Sequence, residues 1–220
     1  MKVFVSFSGG KESTLALFQA MRMGLEPQFL LTMFDTKGKR TRGHGLSMTF
    51  LEAQADALGI PLLYGKASWN TYEEVFKGLL KGLRAQGIEG GVFGDIYLDE
   101  HRQWVERVCS QAGFRAFLPL WGWAPERVYR EFVSNGFKAV IVELCRKRLP
   151  ESLLGRLLDE ETLGLFANYG VDPCGEKGEY HTVVIDGPIF GKRIEITGTR
   201  LRRRGGRSRL EIIDFIVRAK

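Results

Sequence analysis

Residues 8–13 read Ser-Gly-Gly-Lys-Glu-Ser. They follow an apolar run at residues 3–7 and lead at once into a second apolar pattern, Leu15-Ala16-Leu17-Phe18. A strand that turns into a helix through glycines points backbone N–H groups out of the turn, and the helix N-terminus adds about half a positive charge there. Together these favour an anion, above all a phosphate. Lys11 adds a full charge, and Ser8 and Ser13 add hydroxyls. Placing the Walker pattern G-x-x-x-x-G-K-[ST] on Gly10-Lys11 puts Val5 at the first glycine and Glu12 at the Ser/Thr. The dinucleotide pattern G-x-G-x-x-G fails too. Residues 8–13, namely Ser8, Gly9, Gly10, Lys11, Glu12 and Ser13, therefore suit a phosphate while matching neither nucleotide fingerprint; the alternative is a Gly-rich strand–helix turn with an exposed lysine.

Residues 172–182, Asp-Pro-Cys-Gly-Glu-Lys-Gly-Glu-Tyr-His-Thr, form a second constellation. Glu176, Glu179 and His181 can bind ammonium, remove a proton from it, or bind substrate. On a strand, Glu179 and His181 share a face. The alternative is a polar hairpin. Cys174 has no partner in the sequence and reads as a nucleophile or as an inert buried thiol. Asp35 ends an apolar run at 29–35 and suits an adenosine pocket or a solvated turn. His44, between Gly43 and Gly45, suits a nucleotide contact or a plain loop. Asp95, at the end of the run 90–96, and His101 and Arg102 just beyond it are candidates for Mg²⁺ or anionic substrate. Their structural alternatives are an N-cap, packing near Trp104, and an i,i+4 pair with Glu106.

These residues need a scaffold. Short apolar strands are expected at 2–7, 29–35, 60–65, 90–96 and 116–122. Helices are expected at 13–23, 47–58, from Thr71 with Glu74 as a capping box, and at 99–112. The strands are apolar throughout and alternate with helices. That pattern implies an α/β parallel sheet with helices on both faces. A helix at 125–135, a strand at 138–144, a helical patch at 150–168 and β-rich sequence from Tyr180 follow. The expected organisation is a nucleotide-binding domain over residues 1–125 and a smaller α+β substrate-binding domain over 126–220.

Composition narrows the function classes. The 220 residues are 44% hydrophobic and 26% charged, ordinary values for a globular protein. Three well-separated cysteines, Cys109, Cys145 and Cys174, suit reduced thiols in a cytoplasm. They offer no zinc-ligand spacing, so no structural metal site is expected. No apolar run is long enough for a membrane span. The net charge of +6 is uneven: residues 191–220 hold ten Lys/Arg against Glu195, Glu211 and Asp214. Residues 200–210 read as a basic hairpin around Gly205-Gly206. It is either simply solvated or binds RNA or an acidic protein surface.

The segment at residues 8–13 resembles the signature of the PP-loop ATP pyrophosphatases. Further segments at 54–62, 94–96, 101–109, 119–121, 136–142, 153–159 and 174–190 resemble the diphthine–ammonia ligase family and span most of the chain. The resemblance implies an enzyme that uses ATP, with Mg²⁺, to adenylate a carboxylate, releasing pyrophosphate. Ammonia then displaces AMP to form an amide. The implied acceptor is a modified histidine on elongation factor two. Lys11, Glu176, Glu179 and His181 are the implied catalytic set. Two departures mark a divergent branch. Residues 40–47, Arg-Thr-Arg-Gly-His-Gly-Leu-Ser, replace a Tyr-Met-Tyr-His-Thr stretch and keep only His44. Glu100-His101-Arg102 stands where Tyr-Gln-Arg is usual. An RNA-modifying PP-loop enzyme and a nucleotide-binding protein without turnover are the alternatives.

Overall fold

The structure is a computed structural model that describes all 220 residues. Strand β1 (Lys2–Ser6) turns through the Gly9-Gly10 pair into helix α1 (Lys11–Arg22). The alternation continues through β2 (Glu26–Phe34), α2 (Met48–Leu58), β3 (Leu62–Lys66) and α3 (Tyr72–Ala85). It closes with β4 (Gly90–Val92), α4 (Asp99–Gln111) and β5 (Arg115–Phe117). The five strands form a wholly parallel sheet in the order β3-β2-β1-β4-β5. Because strand side chains alternate, β1 feeds two cores. Val3 and Val5 pack with Leu15 and Leu17 of α1 and with Phe50 and Leu51 of α2. Phe4 packs the other way, with Phe76, Leu80 and Leu83 of α3 and Val105 and Val108 of α4. Strand order reverses between β1 and β4. That opens a crevice beyond their carboxyl ends, where open α/β sheets bind ligands.

The remainder is α5 (Pro125–Ser134), β6 (Lys138–Cys145), a 3₁₀ turn (Glu151–Leu153), α6 (Glu160–Asn168), β7 (Tyr180–Asp186), β8 (Lys192–Arg204) and β9 (Arg207–Ala219). Its four strands make an antiparallel sheet in the order β7-β6-β9-β8. One buried cluster of 37 residues runs from α1 and α2 into Val128, Phe132, Ile141 and Val183, so the two sheets share a core. No helix is long and apolar enough to cross a membrane.

Three local expectations are corrected. The capping box at Thr71 does not form: the Thr71 hydroxyl accepts the Ser68 N–H at 3.0 Å, so local turn chemistry outcompetes the cap. The helical patch at 150–168 breaks at Gly155, whose φ of +83° ends any helix. Leu157 then bridges Val140 of β6 in antiparallel fashion, and Asp159 caps α6 by accepting the Thr162 N–H at 2.7 Å. Strands β4 and β5 stop after three residues, and Gly94 and Asp95, just beyond β4, line the crevice instead of extending the sheet.

Candidate active site

Two glycines are needed at the β1–α1 junction for different reasons. Gly9 has φ +80°, and a Cβ there would lie 2.5 Å from Gln54 Oε1. Gly10 has an ordinary φ, but its Cβ would lie 2.3 Å from His44 Cε1. The loop is compact because two side chains press directly on its backbone. A third close approach comes from Gly94, whose Cβ would meet the Glu12 backbone at 2.9 Å. The loop after β4 can therefore lie against the start of α1. The loop amides are engaged, but weakly. Ser8 N donates to Ser13 Oγ at 3.2 Å, Gly10 N to Ser8 Oγ at 3.3 Å, and Lys11 N to Thr182 Oγ1 at 3.3 Å. Bonds this long are readily exchanged for a charged oxygen.

Strand β7 of the second sheet holds this loop in place. Val184 N donates to Gly9 O at 2.9 Å. Gln54, fully buried on α2, donates Nε2 to Gly9 O at 3.0 Å and to Val184 O at 2.7 Å. His44 Nδ1 lies 2.8 Å from Thr182 O. A carbonyl can only accept, so Nδ1 carries the proton and Nε2 keeps its lone pair. Lys11 is 2% exposed, and its Nζ donates to Cys174 O at 2.6 Å. It also contacts Glu12 Oε1 at 2.5 Å, in poor hydrogen-bond alignment, and sits 4.5 Å from the Tyr180 ring centre. The phosphate loop and residues 174–184 thus form one assembly.

A cavity of about 360 Å³ opens at the crevice. Volumes of roughly 300–1,000 Å³ are usual for small-ligand sites. Its wall includes Ser8, Glu12 and Ser13 of the loop at residues 8–13, together with Gly94, Asp95, His101 and Glu176. Leu31, Thr32 and Met33 form an apolar floor on β2, and Arg42, Trp69 and Tyr72 form a rim. Arg42 lies 4.9 Å over the Trp69 ring, which stacks on Tyr72.

The structure gathers many of the sequence-identified residues at this cavity, but not all. His44 lines it; Lys11 does not, being turned inward. Asp35 is outside the cavity and accepts the Lys39 N–H at 2.9 Å in a turn. Asp95 Oδ1 pairs with His101 Nδ1 at 3.1 Å at the mouth. Arg102 pairs with Glu106 at 2.7 Å and lies over Trp121. Of the second constellation only Glu176 reaches the cavity. Glu179 is 3% exposed, with Oε2 unpartnered. His181 stands behind the wall, its ring centre 4.8 Å from that of His44. Gln54, Arg42, Trp69 and Tyr72 were not anticipated. Only Gln54 left a sequence signal: it falls one helical turn after Phe50, on the apolar face.

Burial sets the electrostatics. It holds Glu176 above its ordinary value, to about 7, aided by the charge of Glu12. Burial also depresses His44, and pushes His181 well down with help from His44 and Arg207. Both rings are neutral at pH 7. Lys11 is depressed by burial, but the charge of Glu12 outweighs that and leaves it raised and charged. His101 is raised by its bond to Asp95. Burial raises the Cys174 thiol far above its ordinary range, so it is not a thiolate.

The diphthamide synthase N-terminal domain matches residues 1–116, and the diphthamide synthase C-terminal domain matches residues 124–213. The Homo sapiens diphthine–ammonia ligase is 27% identical over 230 aligned positions, covering 91% of this chain and 85% of the relative. The Danio rerio protein of the same name is 28% identical over 228 positions, covering 90% and 88%. A crystal structure described as a predicted subunit of tRNA methyltransferase, from Methanocaldococcus jannaschii, aligns over 85% of this chain and 98% of its own. It does so with a TM-score of 0.47 and 20% identity. With both domains matched in order along almost its whole length, the chain belongs to the diphthamide synthase family.

Proposed function

We propose that this protein is an ATP-dependent carboxylate–ammonia ligase that cleaves ATP between the α and β phosphates. One observation carries the reading: the phosphate loop and Glu176 line the same cavity, although about 160 residues separate them. Relatives that span almost the whole chain are named diphthine–ammonia ligases, which supports the same reaction and makes diphthine on elongation factor two the first acceptor to test.

In this reading the adenine lies over Leu31, Thr32 and Met33 beneath the Arg42–Trp69 rim, and the triphosphate meets Ser8, Ser13 and the N-terminus of α1. The acceptor carboxylate attacks the α-phosphorus, and the P–O bond to the β-phosphate breaks. Lys11 exchanges Cys174 O and Glu12 for the departing pyrophosphate, where charge accumulates. Ammonia then attacks the acyl carbon, AMP leaves with the bonding electrons, and Glu176 takes the surplus proton. Glu176 suits that task best among Glu176, Glu179 and His181. It faces the cavity, and its pKa lies near neutrality, where a general base is most effective.

Mg²⁺ fits the donor set. Glu12 and Asp95 place carboxylates on one wall, and this cation is usually held by one or two carboxylates together with phosphates. It would supply neutralisation of phosphate charge. No group of three or more His, Cys, Asp and Glu side chains forms an all-protein cage.

The test is ATP–pyrophosphate exchange across candidate carboxylates, including diphthine-bearing elongation factor two. The expected result is carboxylate-dependent exchange without ammonia, and AMP release once ammonium is added. ADP as the product would refute α–β cleavage.

A further inference from the structure

A second cavity, of about 380 Å³, lies outside the nucleotide crevice and has no hydrophobic side chain in its wall. Arg40 comes from the loop after β2, Arg202 and Arg204 from β8, and Arg207 and Arg209 from β9, with Glu143 and Glu211 between them. Residues more than 150 positions apart meet here only through the fold. Five guanidiniums face two carboxylates, so the cavity carries a surplus of three positive charges.

Folding does not account for that surplus. Glu143 is buried and accepts from both Arg207 and Arg209, which meets its need for neutralisation. Glu211 pairs with Arg40 and, at 3.1 Å, with Arg202. Arg204 has no ion pair among those the structure forms. Arg207 Nη2 is buried without a hydrogen-bond partner, an arrangement that costs stability unless something else accepts its protons. The guanidiniums are also crowded: burial depresses Arg40, and Arg209 and Arg202 depress it further. Like charges gathered around a solvent-open cavity, with a donor left over, lack only a multiply charged acceptor.

We infer that this cavity binds phosphate groups. Guanidinium forks match phosphate oxygens in bidentate fashion, and a surplus of three charges suits a polyphosphate or successive phosphodiesters better than a single carboxylate. Two sources share this chemistry: a free polyphosphate such as pyrophosphate, and the backbone of an RNA strand. The inference is independent of the proposed ligase reaction. The cavity is nonetheless adjacent to the nucleotide crevice, because His44 lines that crevice and also joins Arg40 and Arg209 in a narrow cleft between the two.

The experiment uses the full chain in EDTA at about 0.1 M salt, where charge contacts are still felt. Inorganic pyrophosphate is followed by calorimetry and a labelled single-stranded RNA by anisotropy. Arg204→Glu breaks no ion pair and lowers the surplus from three charges to one. It is expected to weaken binding about tenfold or more and to flatten the salt dependence of RNA binding by about one ion per lost contact. Glu211→Gln frees Arg40 and Arg202 and is expected to tighten binding. Ser13→Ala reports any pyrophosphate held at the phosphate loop instead. Thermal unfolding checks that the variants are folded. A response with RNA alone assigns the site to backbone phosphates, and a response with pyrophosphate alone assigns it to free polyphosphate. The inference is overturned if neither probe binds, if binding ignores both charge changes, or if only Ser13→Ala matters.

Discussion

Replacing Glu176 by Gln tests the electrostatics of the crevice directly. In the folded protein this carboxyl is held at about 7 against its ordinary 4.5, because burial and the charge of Glu12 disfavour its ionised form. Between those two pH values the unfolded chain has lost the proton and the folded one keeps it. The native state then binds more protons, so stability falls as pH rises through this window. The slope is at most about 1.4 kcal/mol per pH unit, which over the window bounds the effect near 3 kcal/mol. Glu176 sits at a solvent-open wall, and screening there reduces the expected loss to about 1–2 kcal/mol. Gln keeps the shape and abolishes the titration. Urea unfolding of both proteins at pH 5 and pH 8 should show the wild type losing about 1–2 kcal/mol more than Glu176→Gln on going to the higher pH. That corresponds to about 2–8 °C in Tm for a chain of this size. Identical pH dependence in the two proteins would refute a raised pKa at the half-buried Glu176. The same substitution should leave ATP binding intact and abolish amide formation.

Lys11→Ala should lower turnover at saturating ATP by about a hundredfold or more while changing ATP affinity less, since leaving-group charge grows in the transition state; lost affinity with unchanged turnover would contradict this. Gly10→Ala drives a Cβ to 2.3 Å from His44 Cε1, and calorimetric unfolding should show a loss of about 1–3 kcal/mol. Gln54→Leu removes the donor to Gly9 O and Val184 O. Gly9 O keeps Val184 N, so the expected loss is about 1–3 kcal/mol by denaturant titration. Glu143→Gln leaves Arg207 and Arg209 without a counter-charge and should cost about 2–4 kcal/mol in the same assay.

The parallel sheet was legible because each strand in residues 1–117 is a short apolar run closed by glycine, proline or a polar turn. Residues 8–13 read as an anion site by type and spacing alone, and Ser8, Glu12 and Ser13 of that segment line the crevice. Thr71 and Gly155 show where local reading failed. A motif can be present and lose to a nearer partner, as Thr71 lost its cap to Ser68, and one glycine in a left-handed conformation can split an apparent helix. Asp35 had the right position at a strand end, but its side chain closes a turn. The Arg42–Trp69–Tyr72 rim carries no motif, since stacking geometry alone assembles it. The arginine cavity was half visible as a basic hairpin. Arg40 and Glu143, which complete the cavity, come from elsewhere in the chain.

What no local pattern contained is the debt of the phosphate loop to the second sheet. A strand–turn–helix anion site can in principle shape itself. Here Val184 N and Thr182 Oγ1 bond the loop backbone, Thr182 O orients His44 over Gly10, and Cys174 O holds the Lys11 ammonium. Each bond joins residues more than 130 positions apart. The proposed reaction gives this a reason. An acyl-adenylate is labile in water, so the nucleotide and the acceptor must meet at the α-phosphate with little freedom. If the segment that bears Glu176 also sets the conformation of the phosphate loop, a shift of one moves the other. Lys11 is the hinge of that coupling, since its two present partners, Cys174 O and Glu12, belong one to each segment. Phosphates that draw Nζ away would release residues 174–176 at the moment the acceptor needs room. Positioning of the nucleotide and opening of the acceptor side would then be one event, carried by one side chain.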